Sequence, residues 1–404
     1  MTDVVQVSLE DIERAAGTVA HLALRTPMEG ARWLSALTGG PVNLKCENLQ
    51  RTGSFKVRGA YYRIARLSDE EKARGVVAAS AGNHAQGVAL AAQALGIKAT
   101  VFMPEGAPIP KEKATRGYGA DVVFHGRYLE DSLAEAREFH ERTGAVMIHP
   151  FDNADIVAGQ GTVGLEILEQ APAVETIVVP CGGGGLLSGI AIAVKGQRPE
   201  VRVIGVQAEG AAAYPGSLRA GRPVKLDSMS TMADGIAVGL PGEVTFAAVR
   251  DLVDEIVTVS EASLSGAVLA VLERAKLVVE PAGAAAVAAI LDDPSRFGTP
   301  TVGVLSGGNI DPLLLGKVIQ HGMAADGRYL NLRLRIPDRP GGLAELLGDI
   351  GAAGANVVEV SHARIDADLS LDEVEVHLQL ETRGVEHAEA LTTLLRERGY
   401  RVFE

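Results

Sequence analysis

Aromatic side chains make up only 4% of the 404 residues, with a single Trp. A row of rings on which nucleic-acid bases could stack is therefore not expected. Positive charge is also in deficit: 38 Lys and Arg stand against 51 Asp and Glu, a formal net charge of -13. Such a surface repels phosphate backbones and argues against nucleic acid as a partner, while a small anion can still be held by local N–H groups. Cysteine occurs twice, as Cys46 and Cys181. Neither sits in a paired motif, which points to a reducing, cytoplasmic compartment without disulfides. His21, His125, His140 and His149 share no ligand spacing, so no zinc site is expected from them. The opening MTDVVQVSLEDIERA lacks a basic segment followed by an apolar run, and no signal peptide is expected. The uncharged run at residues 177–194 is broken by Pro180 and five glycines and falls short of a membrane span.

What the chain has in quantity is glycine, 47 residues without the period of a collagen, together with frequent alanine. That pairing suits close packing and backbone-lined ligand loops. From residue 76 onward, short β-rich runs alternate with helical segments. Strands are expected at 76–80, 99–103, 121–124, 145–148, 176–180, 201–207, 255–259 and 301–305. The alternation predicts an α/β class with largely parallel sheets covered on both faces. Seven or eight such units exceed one small sheet and predict two lobes facing across a cleft, the smaller over about residues 55–150. Ahead of them, residues 9–24 read as a helix, and residues 43–60 as a strand, a turn and a helix capped by Ser54. The composition changes near Asp326. Residues 328–404 read as strand, helix, two strands, helix and strand, a ferredoxin-like βαββαβ order with an antiparallel sheet, separate from a catalytic part at 1–325. Arg333, Arg335 and Arg339 in it are expected to face solvent or a partner subunit.

Four segments carry chemistry. Lys56 lies between Phe55 and Val57. Most lysines are solvated surface groups, but a desolvated one has a lowered pKa and can form an imine with an aldehyde. Cys181-Gly182-Gly183-Gly184-Gly185-Leu186 follows a strand and opens a helix, so its N–H groups can converge on an anion. A flexible linker is the weaker reading, because VVP and LLSGIAIAV flank it directly. The run lacks the GK[ST] of a nucleotide-triphosphate loop and the spacing of a dinucleotide fingerprint, leaving a phosphate on a smaller cofactor. Ser80, Ala81, Gly82, Asn83 and His84 form another strand end before a helix, where a carboxylate could be held and Asn83 could meet a phenolic oxygen; an ordinary turn is equally open. The fourth is Ser306-Gly307-Gly308-Asn309. Its hydroxyl could reach a pyridine nitrogen, and a neutral partner there favours elimination over chemistry needing a long-lived carbanion.

Together these motifs resemble the fold-type II (tryptophan synthase β-like) pyridoxal-phosphate enzymes, and the threonine dehydratases, or threonine ammonia-lyases, in particular. The likeness spans about residues 10–320 and is carried above all by K-x-E-N-L-Q-x-T-G-S-F-K-x-R-G-A at 45–60. The tail, through Asp338-Arg339-Pro340-Gly341-Gly342-Leu343, resembles an ACT domain, a small regulatory module. The resemblance implies that Lys56 is catalytic, holding the aldehyde of pyridoxal 5'-phosphate and later taking the α-proton. It places Phe55 beside Lys56, Gly182, Gly183, Gly184, Gly185 and Leu186 around the phosphate, Asn83 at the ring oxygen, Ser306 at the ring nitrogen and Glu280 at the cofactor edge. It places Ser80, Ala81, Gly82, Asn83 and His84 around the substrate carboxylate. The implied activity turns L-threonine into 2-oxobutanoate and ammonia, with L-serine giving pyruvate, as the first step of isoleucine biosynthesis. An allosteric homodimer or homotetramer is implied, with an amino-acid effector of isoleucine or valine type at the tail. Serine dehydratase, cysteine synthase and threonine synthase are alternatives on the same scaffold. A non-catalytic amino-acid sensor is the alternative outside enzymes, and the intact Lys56 motif argues against it. Two departures are informative. Serine racemases carry a serine base where this chain has Ala81. Relatives that bind a divalent cation have carboxylates where this chain has Gln207 and Ala213, with Glu209 out of step, so no metal is expected.

Overall fold

The computed structural model describes residues 6–363 and 372–403; the start of the segment read for a targeting signal, residues 364–371 of the tail and Glu404 lie outside the described residues. The chain divides into two compact units between Leu315 and Gly316. In the first unit the strands are β1 (Met28–Gly30), β2 (Val42–Cys46), β3 (Val76–Ala79), β4 (Ala99–Met103), β5 (Asp121–Phe124), β6 (Val146–Met147), β7 (Thr176–Pro180), β8 (Arg202–Ala208), β9 (Glu255–Val259) and β10 (Thr301–Leu305). They form a six-stranded sheet of order β1-β2-β10-β7-β8-β9 and a four-stranded sheet of order β5-β4-β3-β6. Every pairing is parallel except β1 with β2. Strands β7 and β10 are buried along their whole length, which is why they read as continuous Val, Ile and Leu runs rather than as alternating ones. Among the described residues no helix is long and apolar enough to cross a membrane; the uncharged run at 177–194 is β7, a loop and most of the helix Gly185–Gln197.

Two glycines let the helices behind Lys56 touch. A Cβ on Gly59 would sit 2.7 Å from the carbonyl oxygen of Ile156, and one on Gly159 would sit 2.6 Å from Gly59 Cα. The helices Lys56–Ala65 and Ala154–Gln170 therefore cross backbone against backbone, a contact any side chain would wedge open. The expectation that Ser54 caps the first of these fails. Phe55 occupies the cap position in helical conformation, while Ser54 is fully buried and bridges to Gly307 across the end of β10. A tertiary strand contact has replaced a local cap.

The second unit carries β11 (Tyr329–Pro337), β12 (Asn356–Ala363), β13 (Glu373–Glu381) and β14 (Arg401–Phe403), antiparallel in the order β12-β13-β11-β14. With the helices Gly342–Ala352 and Val385–Glu397 this is the ferredoxin-like order the alternating pattern predicts. One face of the sheet, through Leu332, Leu334, Ile336, Val376 and Leu378, packs with Leu346, Ile350, Leu391 and Leu395. Arg333 and Arg335 lie over the ring of Phe403, and Arg335 and Arg339 pair with Glu375 and Glu345, so internal partners replace part of the solvent role expected for them.

Candidate active site

The chemistry-bearing segments all lie just beyond the carboxyl ends of parallel strands, where open α/β sheets leave a crevice. Residues 47–55 follow β2, Ser80 to His84 follow β3, Gly182 to Leu186 follow β7 and Ser306 to Asn309 follow β10. The register Leu305 to Cys46 ends β10 and β2 at one level. Consequently Phe55 N donates to Ser306 O at 3.2 Å and Gly308 N to Gly53 O at 2.8 Å, which puts Lys56 and Ser306 on adjoining loops.

Lys56 is held by two contacts. Its Nζ donates to the Pro150 carbonyl oxygen at 3.0 Å and lies 5.1 Å from the Phe55 ring centre. Burial pushes its pKa down to about 8, against the opposing pull of the Glu280 carboxylate. Glu280 Oε1 accepts from Asn83 Nδ2 at 2.6 Å, and Asn309 Nδ2 donates to Asn83 Oδ1 at 2.8 Å. Burial pushes the Glu280 carboxyl up to about 7, Asp234 adds to this, and Lys111 opposes it. Asn83 has two amide hydrogens, so one remains beyond the Glu280 bond for a ligand oxygen. The ring of His84 is turned away: its Nε2 donates to the Ile148 carbonyl oxygen at 2.8 Å, and burial pushes its pKa down to about 3. What His84 brings to the cleft is its place in the first turn of the helix Asn83–Ala94, with that turn's free N–H groups. Ser80 Oγ accepts from Gly82 N at 3.1 Å and shapes the same turn, which also contains Ala81.

The glycine loop is packed from outside. Gly184 adopts φ +95 and caps the helix Gly185–Gln197, a conformation that a side chain strains. A Cβ on Gly183 would fall 2.5 Å from the Phe151 ring. The first N–H groups of that helix have no partner within the helix, the arrangement an anion needs. Leu186 is buried in the first turn. A buried amine of lowered pKa, a backbone anion cradle, a spare amide hydrogen on Asn83 and the buried Ser54 hydroxyl, which has no protein partner, together fit an aldehyde that carries a phosphate.

The remaining residues of the lysine motif are structural. Arg58 donates to Glu47 at 2.8 Å through Nε and Nη2, and to Glu166 at 2.7 and 3.0 Å. Lys45 Nζ donates to Glu166 at 2.6 Å, to Gln170 at 2.7 Å and to Thr26 O at 2.9 Å. Burial alone would raise the Glu47 carboxyl, but the Arg58 guanidinium outweighs it and holds the group below its ordinary value. This buried lattice fixes the helix that begins with Lys56. Sequence reasoning missed the turn His149–Asn153, which supplies Pro150 and Phe151. The signal available was its position directly after β6, the same strand-end position as the other four segments.

The comparisons agree with this geometry. Residues 19–308 match the family model described as pyridoxal-phosphate dependent enzyme. The chain belongs to that family, and its cofactor is pyridoxal 5'-phosphate. Within it, the chain is 48% identical to the L-threonine ammonia-lyase of Thermotoga maritima over 98% of its own length and 99% of the relative's. It is 46% identical to the L-threonine ammonia-lyase of Geobacter sulfurreducens, over 97% and 98% of the two chains. Among solved structures, maize serine racemase superposes with a TM-score of 0.74 at 37% identity, over 78% of this chain and 97% of that one.

Proposed function

We infer that this chain deaminates L-threonine to 2-oxobutanoate and ammonia. The observation that carries this reading is the near full-length match, tail included, to threonine ammonia-lyases. The racemase likeness covers 78% of this chain at 37% identity, against 98% at 48% for the first ammonia-lyase, and Ala81 stands where a second, opposite-face base would be needed.

When bound, pyridoxal phosphate supplies an electron sink for breaking the Cα–H bond. Lys56 holds its aldehyde, and the same Nζ, once free, takes the α-proton. A pKa near 8 keeps a useful fraction of this amine neutral at neutral pH. Gly182 to Gly185 and Leu186 hold the phosphate through N–H groups. Asn83, steered by Glu280 and Asn309, donates to the ring oxygen. Ser306 offers a neutral partner to the ring nitrogen, which suits elimination of the β-hydroxyl. Ser80 to His84 orient the substrate carboxylate at the start of their helix. Water is lost across Cα–Cβ and returned when the released product hydrolyses to the oxo acid and ammonia.

The pKa of Lys56 has a direct consequence. Only the neutral amine attacks an aldehyde, so cofactor uptake by the apoprotein speeds up about tenfold per pH unit below about 8 and levels off above it. Stopped-flow absorbance after mixing apoprotein with pyridoxal phosphate measures this. A profile that keeps rising to pH 10, the range of an ordinary lysine, contradicts the buried amine.

The tail unit is read as a regulatory ACT-type module that binds a branched aliphatic amino acid, and the enzyme as a cytoplasmic homodimer or homotetramer. The catalytic part ends near residue 325 and the module occupies 328–404. One assay tests activity and regulation together: oxo-acid formation from L-threonine, L-serine and their D-forms, with isoleucine and valine titrated. L-threonine turns over fastest, and no racemised amino acid accumulates. A chain ending at Asp326 retains turnover and loses the effector response. Turnover confined to serine overturns the threonine reading, and loss of both activity and response assigns the tail a structural role.

A further inference from the structure

The helix Glu243–Leu252 starts at Gly242, which has no side chain to cap it. Its first N–H groups are met by Asp152 instead: Oδ2 accepts from Glu243 N at 3.0 Å and Oδ1 from Val244 N at 2.9 Å. A carboxylate at this end is also favoured by the helix dipole. Gly242 makes the approach possible, since a Cβ there would lie 2.4 Å from Asp152 Oδ1. Asp152 is itself held by the turn that contains it. His149 Nδ1 accepts from Asp152 N at 2.7 Å and from Phe151 N at 3.3 Å, which closes the loop around Pro150.

This clamp reaches both anchors of the cofactor. On one side, Pro150 O accepts the Lys56 hydrogen bond and the Phe151 ring backs Gly183. On the other, Thr245, in the first turn of the clamped helix, donates to Gly183 O at 2.7 Å, and Tyr214 OH donates to the same oxygen at 3.2 Å. The glycine loop is thus gripped by Phe151, next to Asp152 in its turn, and by Thr245, on the helix that Asp152 caps, and Lys56 is gripped two residues before Asp152.

We propose that Asp152 is a positioning residue that sets the glycine loop against Lys56 and thereby determines how strongly the chain prefers the phosphorylated form of its cofactor. The proposal rests on reading Gly182 to Gly185 as the phosphate cradle. A cap that serves the helix alone would lower thermal stability and leave ligand preference untouched.

The experiment titrates apoprotein with pyridoxal phosphate and with pyridoxal, and takes the ratio of the two dissociation constants. Wild type is compared with Asp152→Ala, Asp152→Asn, Gly183→Ala and Ser260→Ala. The last removes the side-chain cap of the helix Glu261–Ala270 and controls for lost stability alone. Asp152→Ala lowers the preference for the phosphorylated form about tenfold, the scale of one lost charge-assisted cap. Asp152→Asn, which keeps an accepting oxygen without the charge, lowers it a few-fold and carries the test if Asp152→Ala does not fold. Ser260→Ala lowers Tm and leaves the ratio at the wild-type value. An unchanged ratio in Asp152→Asn, with a reduced one in Gly183→Ala, overturns the role of Asp152 while sparing the cradle. An unchanged ratio in Gly183→Ala overturns the cradle reading, and the proposal with it. A ratio that falls equally in Ser260→Ala reduces the effect to general loss of stability and overturns the proposal too.

Discussion

Lys56→Ala lowers oxo-acid formation from L-threonine by at least about a thousandfold, the range lost when a positioned base is removed. It also abolishes the visible absorbance of the lysine-bound cofactor, while circular dichroism of the apoprotein stays native. The size of the effect follows from the site. Among the described residues, Lys56 Nζ is the amine placed against Pro150 O and Phe55 and coupled to Glu280. Lys111, which also acts on Glu280, is paired with Asp234 at 2.6 Å and cannot replace it. Turnover within tenfold of wild type in Lys56→Ala would remove the basis of the mechanism.

Arg58→Ala destabilises the apoprotein by about 3–5 kcal/mol, because it strands a buried carboxylate and leaves a second with one partner fewer. Arg58 is 1% exposed and Glu47 is 0% exposed, so water cannot take over the lost bonds. Urea unfolding of apoprotein measures the loss directly. The double replacement Arg58→Met with Glu47→Leu recovers part of it, since an apolar pair avoids the stranded charge. A loss below about 1 kcal/mol in Arg58→Ala, the scale of a surface ion pair, would show that the lattice is solvated in solution. Cofactor affinity falls in the same variant, because the helix that begins with Lys56 is fixed by this lattice.

These two residues stand two positions apart in one motif and separate what was legible from what was not. The importance of Lys56 could be read from its company: a glycine run, a strand-end Asn and a strand-end Ser, each in short-range sequence context. The role of Arg58 could not be read, because its partners Glu47 and Glu166 come from separate elements of the fold. Ser54 shows the reverse error. Its local context suits a helix cap, but pairing between the loops after β2 and β10 placed it in a bridge to Gly307. His149 looked like an isolated histidine, and the fold set its ring as the acceptor that closes the turn before Asp152.

The sequence by itself determined the alternation of strands and helices, the βαββαβ tail and the loops that hold chemistry. Periodicity, β-propensity and glycine-rich strand ends are local properties, written within a few residues of one another. Only the tertiary structure decided that burial pushes the Lys56 amine down to about 8 and the Glu280 carboxyl up to about 7, and that Arg58 joins a buried lattice. Desolvation and ion pairing depend on which distant segments exclude water from a group. No window of sequence around Lys56 contains Pro150, Glu280 or Asp152.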